Sequence, residues 1–415
     1  VYIYALAYAL TAVSCQDNEW GADSATPQAP EIEIPMGAAD GELLIKFVPE
    51  MSDILDQTLT RVGGVATRSG IPSTDEVLNI LGAYHFERVF PVDPKTEKRT
   101  REAGMHLWYI VRFDKDADLK EAARQLRKLG EISKIQSNPT LQRAYDPKKK
   151  TLYLSASDLQ HVIRTSEGLT FNDPGLKHQW HYRNAGNYDF VKKDRAEAIA
   201  GADVNCGEAW ELCKGDPSII VAVLDEGVMW SHPDLIANMW TNEAEEIGST
   251  EDKDGNGYKG DRYGYNFVKN TGVISWTSAD DTGHGTHVAG TIAAENGNSI
   301  GVSGIAGGDG NTGSGVKIMT CQLFDGQYGA TLAAEAKAIK YAADNGAVVL
   351  QCSWGYNSPD ANEALGYVPG PKNEQDWENQ YPLEKEALDY FIHNAGSPNG
   401  VIDGGLAIFA SGNEY

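Results

Sequence analysis

Two adjacent carboxylates, Asp225 and Glu226, follow a near-continuous apolar run, Ser218–Leu224, and a histidine, His284, stands in a segment of small residues, Gly283–Ala294. A carboxylate fixed at a strand end can accept a hydrogen bond from one imidazole nitrogen and leave the other ready to take a proton, which is general-base chemistry. Two more apolar runs, Gly346–Leu350 and Gly405–Ala410, lead into the short segments Ser353-Trp354-Gly355 and Ser411-Gly412-Asn413. Between the acids and the histidine lies Asp252-Lys253-Asp254-Gly255-Asn256-Gly257-Tyr258, with Asp261 three residues further. Alternating oxygen side chains with glycine at the turn can wrap Ca²⁺ in the manner of an EF-hand loop, although the bidentate glutamate of such loops has no counterpart here.

These groups need a frame that holds them together. Runs that are apolar on both faces suit parallel strands covered by helices, so residues 171–415 are expected to form a doubly wound α/β parallel sheet. Ligands and catalytic groups of such sheets gather beyond the carboxyl ends of the strands, where Asp225, Ser353 and Ser411 fall.

In order, Asp225-Glu226-Gly227, Ser231-His232-Pro233-Asp234, Gly283-His284-Gly285-Thr286-His287-Val288-Ala289-Gly290-Thr291, Ser353-Trp354-Gly355 and Ser411-Gly412-Asn413 resemble the landmarks of subtilisin-like serine proteases. The resemblance covers roughly residues 171–415. It implies that Asp225 orients His284 and that Asn413 is the side-chain donor of the oxyanion hole. It further implies that Ser353, Trp354 and Gly355 pair with substrate backbone and wall the first specificity pocket. His287 reads as a packed neighbour and not as the base. A helix start at His284 predicts a lowered imidazole pKa, while Glu226, where the family has Ser or Thr, adds a second carboxylate that raises basicity. A second calcium site is implied at Asp234 and the Asn298 side chain, with the carbonyls of Asn296, Ile300 and Val302. The family's nucleophile stands in a Gly-Thr-Ser-Met-Ala segment, which does not occur in these 415 residues, and Ser411 is no substitute. The expectation is therefore a fragment that lacks the nucleophile of a serine endopeptidase. The runner-up is a pseudoprotease that keeps the cleft as a peptide-binding module.

The residues before this part read differently. Val1–Val13 is apolar and ends at Ala12-Val13-Ser14-Cys15, which resembles a bacterial lipobox with Cys15 as the lipidated residue. An exported outer-membrane or cell-surface lipoprotein follows as the expectation, held to the membrane only by that anchor and open to release by processing. Residues 16–36 have the composition of a tether. Strands at Glu42–Val48, His85–Val92, Met105–Phe113 and Ile132–Gln142, with helices capped by Ser73 and Asp118, give a small α+β ferredoxin-like domain over residues 37–143. It resembles the family's inhibitory propeptide, which lies in its own enzyme's cleft. Residues 144–170, with Lys148-Lys149-Lys150, read as a linker open to processing.

Charge separates the same regions. Acids exceed bases by five over residues 1–36, bases exceed acids by one over 37–170, and the remainder carries −20 of the net −24. That balance excludes binding to nucleic acid, whose affinity comes from Lys and Arg displacing counterions. Expected partners are polypeptide substrates and the chain's own propeptide. The five cysteines are too few for a disulfide framework.

Overall fold

A computed structural model describes residues 38–62, 65–66, 68–141, 143, 170–186, 199–360, 370–396 and 402–412. These lie in one compact unit, Ile32–Tyr415. Cys15, the tether, residues 144–169 and Asn413 fall outside the described residues.

The first five strands are β1 (Ala38–Phe47), β2 (Val65–Ala66), β3 (His85–Arg88), β4 (Trp108–Arg112) and β5 (Ile132–Pro139). They form an antiparallel sheet in the order β2-β3-β4-β1-β5. Apart from the two-residue β2, this is the split arrangement in which β4 separates β1 from β3. Side chains alternate across it. Leu43, Ile45 and Phe47 of β1 and Tyr109 and Val111 of β4 share a core with Leu55, Leu78, Ala123 and Leu126 from the helices on that face. The helix Leu119–Leu126 starts as expected, with Asp118 accepting from the Glu121 amide at 3.0 Å.

The earlier helices differ from expectation. Ser52–Val62 forms a helix that the apolar spacing does not announce. Ser73 does not cap its helix, which runs Pro72–Ile80 from Ile71, because proline occupies the first position and fixes the entry. Asp75 instead accepts from the amides of Ser69 and Gly70 at 2.6 and 3.1 Å, and Ser73 turns its hydroxyl to Glu131.

The second sheet is built from β6 (Ile220–Glu226), β7 (Gly264–Asn266), β8 (Lys317–Asp325), β9 (Tyr328–Gly329), β10 (Val349–Cys352) and β11 (Leu406–Phe409). Its parallel order is β11-β10-β6-β8-β7, with β9 antiparallel to β8. Three of the strands are the apolar runs read from the sequence. β6 is central and buried along its whole length, so its carboxyl end is a fixed point of the fold.

The two sheets are joined through one core. Leu44, Trp108 and Ile110, on the outer face of the first sheet, cluster with Ala336, Ile339, Leu383 and Ala387 of the helices Leu332–Asp344 and Pro382–Asn394. Glu386 anchors this contact by accepting from Lys46 Nζ at 2.8 Å, Trp108 Nε1 at 2.7 Å and Lys134 Nζ at 3.0 Å. Among the described residues no helix is long and apolar enough to cross a membrane.

The helix His284–Ala293 packs on β6 so closely that a Cβ on Gly285 would lie 2.2 Å from the Glu226 carbonyl oxygen. Gly285→Ala is therefore expected to lower stability by roughly 1–3 kcal/mol through overpacking. Urea denaturation of the two proteins measures it, and an unchanged midpoint would contradict the close approach.

Candidate active site

Successive residues of a strand point to opposite faces, and β6 uses this at its last two positions. Asp225 and Glu226 are both buried, at 2% and 0% exposure, yet engage different parts of the same helix start. Asp225 receives the imidazole: His284 Nδ1 lies 2.8 Å from Oδ1 and 2.9 Å from Oδ2. The Glu226 amide donates to Asp225 Oδ1 at 2.6 Å and holds that carboxylate in place.

Glu226 takes the backbone. Its Oε2 accepts from the Thr282 and His284 amides at 3.1 Å each. Early amides of a helix have no partner within it, and a negative charge is favourable at that end. Gly283, at φ 78°, lets the chain turn into the helix there. Arg143 completes the group with Nη1 at 2.7 Å from Glu226 Oε1.

The expectation of a lowered imidazole pKa needs correcting. Burial does pull His284 down, but the hydrogen bond and charge of Asp225 together with the charge of Glu226 outweigh it, and the net shift is upward. Arg143 opposes that rise. The helix-end argument misses this because two carboxylates face the ring's end of the helix, and Glu226 takes up its first amide, that of His284. His287 sits one turn along, and its charge, after burial, lowers the pKa of His181.

Beyond the end of β10, Trp354 is 4% exposed, donates from Nε1 to the Leu224 carbonyl at 3.0 Å and meets Phe409 edge to face. Ser353 accepts from Gln351 Nε2 at 3.0 Å, and a Cβ on Gly355 would meet nothing within 4 Å. The tryptophan thus ties residues 353–355 to β6, one residue before Asp225, with Gly355 facing open space.

The acidic loop brings together Glu245, Asp252 and Asp254, each offering a carboxylate oxygen within 4.8 Å of the others. Glu245 escaped the sequence reading because it lies seven residues before the loop. This trio of hard oxygen donors has the chemistry that Ca²⁺ takes. Asn256 and Asp261 stand alongside, with Asn256 Nδ2 donating to Asp261 Oδ2 at 3.1 Å and Tyr341 OH donating to the same oxygen at 2.8 Å. Burial pushes the Asp261 carboxyl up to about 6.

At the second group, Asp234 accepts from Asn298 Nδ2 at 2.8 Å and the Val302 amide at 2.9 Å, while Asn298 Oδ1 accepts from the Ile300 amide at 2.8 Å. Asn296 donates to the Gly308 carbonyl at 2.9 Å. Burial, and then the neighbouring charge of Asp173, raise the Asp234 pKa. Asp173 Oδ1 is buried with no hydrogen-bond partner, a donor suited to a cation and absent from the sequence reading. Asp173 precedes Asp234 by 61 positions, so spacing gives no hint of it.

Residues 216–415 match the model of the subtilase family. Subtilisin-like protease 1 of Plasmodium vivax is 31% identical over 195 residues, 47% of this chain and 26% of that protein. Thermophilic serine proteinase of Bacillus sp. (strain AK1) is 35% identical over 147 residues, 35% of this chain and 28% of that protein. The chain thus spans less than a third of the length of either relative. Among solved structures, the Aeromonas sobria serine protease is 25% identical, with 47% of this chain and 27% of that chain covered and a TM-score of 0.34. Asp225 and His284, in contact at the end of β6, both fall within residues 216–415, the part of the chain that matches the subtilase family.

Proposed function

We propose that the protein is a serine endopeptidase made as an inhibited precursor. One observation carries the reading: the Asp225–His284 pair lies at the carboxyl end of β6, and the chain's own Thr140, Leu141 and Arg143 contact Thr331, Ala330 and Glu226. Thr140 pairs antiparallel with Thr331, Leu141 donates to the Ala330 carbonyl at 2.8 Å, and Arg143 reaches Glu226.

In this reading His284 donates its Nδ1 proton to Asp225 and presents Nε2 as the base. It takes the serine proton during attack on the scissile carbonyl and passes it to the leaving amine. Asn413 would supply an oxyanion donor, and Ser353, Trp354 and Gly355 would line the substrate. Residues 37–143 act as the inhibitory propeptide and 144–170 as the processed linker. Glu245, Asp252 and Asp254, and separately Asp173 and Asp234, would hold structural Ca²⁺. Cys15 would carry the lipid of an exported protein.

In the full-length protein, Asp225→Ala or His284→Ala is expected to abolish release of residues 37–143 and to cut casein cleavage roughly 10 000-fold or more. Unchanged processing and cleavage in both variants would sink the reading.

The raised pKa of His284 has a sign that can be tested. The ion pair with Asp225 stabilises the fold fully below the imidazole's ordinary value of 6.5 and is lost as the pH rises through the higher folded-state value. NMR titration should place His284 above 6.5 and lower it in Asp225→Asn. The stability difference between the two proteins should be greater at acidic than at alkaline pH.

For the metal, Ca²⁺ at a hundred times its Kd is expected to stabilise the protein by about 2.7 kcal/mol. Calorimetry with and without chelator should show a shift that shrinks in Asp252→Asn/Asp254→Asn.

A further inference from the structure

Arg143 is held more completely than a passing linker residue needs to be. Its side chain is 9% exposed. Beyond the 2.7 Å pair with Glu226, Nη1 donates to the Asp280 carbonyl at 3.0 Å, and Nη2 donates to the Gly326 carbonyl and lies 3.6 Å from Asp281. The guanidinium carbon stands 5.7 Å from the centre of the Phe324 ring. Two carboxylates, two carbonyls and an aromatic face thus surround one planar cation. A guanidinium can satisfy that set with its fork of donors and its flat face, whereas an ammonium has neither the fork nor the plane.

The pocket is built independently of its occupant. Glu226 is fixed by the Thr282 and His284 amides. Asp281 accepts from the Gly326 amide at 2.7 Å and the Ser278 amide at 2.8 Å. Lys269 is committed to Asp325 at 2.8 Å. Withdrawing Arg143 would leave buried Glu226 and Asp281 facing the cleft beside Asp225 without that countercharge, a costly state that a new cation relieves.

We propose that Glu226, Asp281, Phe324 and the carbonyls of Asp280 and Gly326 form a specificity pocket for an arginine of polypeptide substrates, and that Arg143 occupies it as an intramolecular substrate mimic. The inference rests on the protease reading, since it names the substrates of that same cleft. A peptide pairing along residues 330–331, as residues 140–141 do, would bring its arginine to Glu226, next to the acid that orients His284.

The test uses the full-length protein and a proteome-derived peptide library, with cleavage sites read by mass spectrometry. Arginine should be enriched at one fixed distance from the scissile bond, ahead of lysine. In matched peptides, the ratio of kcat/KM for arginine over glutamine at that position should fall by about tenfold or more in Glu226→Gln and in Asp281→Asn. An enzyme that cleaves the library with no positional arginine preference, or whose preference survives both variants, overturns the pocket. A second measurement needs no activity. Hydrogen exchange at the Leu141 amide should speed up by about tenfold or more in Arg143→Gln and less in Arg143→Lys. Unaltered exchange overturns the pocket on its own. A protein that cleaves nothing while Arg143→Gln loosens Leu141 overturns the protease reading, and the substrate assignment with it, for a reason distinct from failure of the pocket.

Discussion

The site depends on burying a carboxylate where a helix begins. Glu226 is fully enclosed at the end of the central strand, and a charge there is tolerable only because donors converge on it from the helix start and from Arg143. That convergence sets the height of the His284–Ala293 helix over the sheet. With the helix fixed, the ring of His284 meets Asp225, the neighbouring residue on the opposite face of the strand. Gly285 belongs to the same constraint, since only hydrogen fits between the helix and the Glu226 carbonyl. Asp225 and Glu226 therefore divide the work, one holding the imidazole and the other the backbone that carries it.

The first sheet is seated by a different balance. Its outer face supplies Leu44, Trp108 and Ile110 to a core shared with the helices of the second part, and these apolar contacts give area without direction. Direction comes from charge. Glu386 gathers two lysines and an indole, and Asp344 receives Arg99 at 2.8 Å and Tyr390 at 2.6 Å. The acidic excess of the second part is thus partly spent on the basic side chains of the first.

Much of this could be read from the residues, and what could not had a physical reason. β6, β10 and β11 announce themselves as near-continuous apolar runs, but β11, expected to be covered on both faces, lies at the sheet edge with Leu406, Ile408 and Phe409 exposed. Of the three only β6 is buried along its whole length. β8 is just as buried but carries Lys317, Thr320 and Gln322. Lys317 and Gln322 are tolerated through bonds to residues distant in sequence, Lys317 Nζ reaching the Ala237 carbonyl at 2.7 Å and Gln322 Nε2 the Ser275 carbonyl at 2.8 Å, whereas Thr320 Oγ1 is buried with no hydrogen-bond partner. The segments holding Asp225 and His284 were legible because short motifs mark the strand end and the helix start. Glu245 and Asp173 were not, since each reaches its cluster through tertiary folding. Arg143 looked like no more than the last residue of the first domain for the same reason: the partners Glu226 and Gly326 lie 83 and 183 positions away.

Thr140, Leu141 and Arg143 carry a further meaning, set by their covalent attachment. A ligand that is part of the same chain faces its site at an effective concentration on the order of millimolar, set by the connecting segment and not by how much protein is present. Dilution cannot remove it. An external peptide whose affinity is weaker than that local concentration stays excluded while the connection is intact, and a single cut turns the same contacts into an ordinary bimolecular equilibrium. If residues 37–143 are the proposed propeptide, the backbone pairing of Leu141 with Ala330 would act as a switch whose setting is covalent.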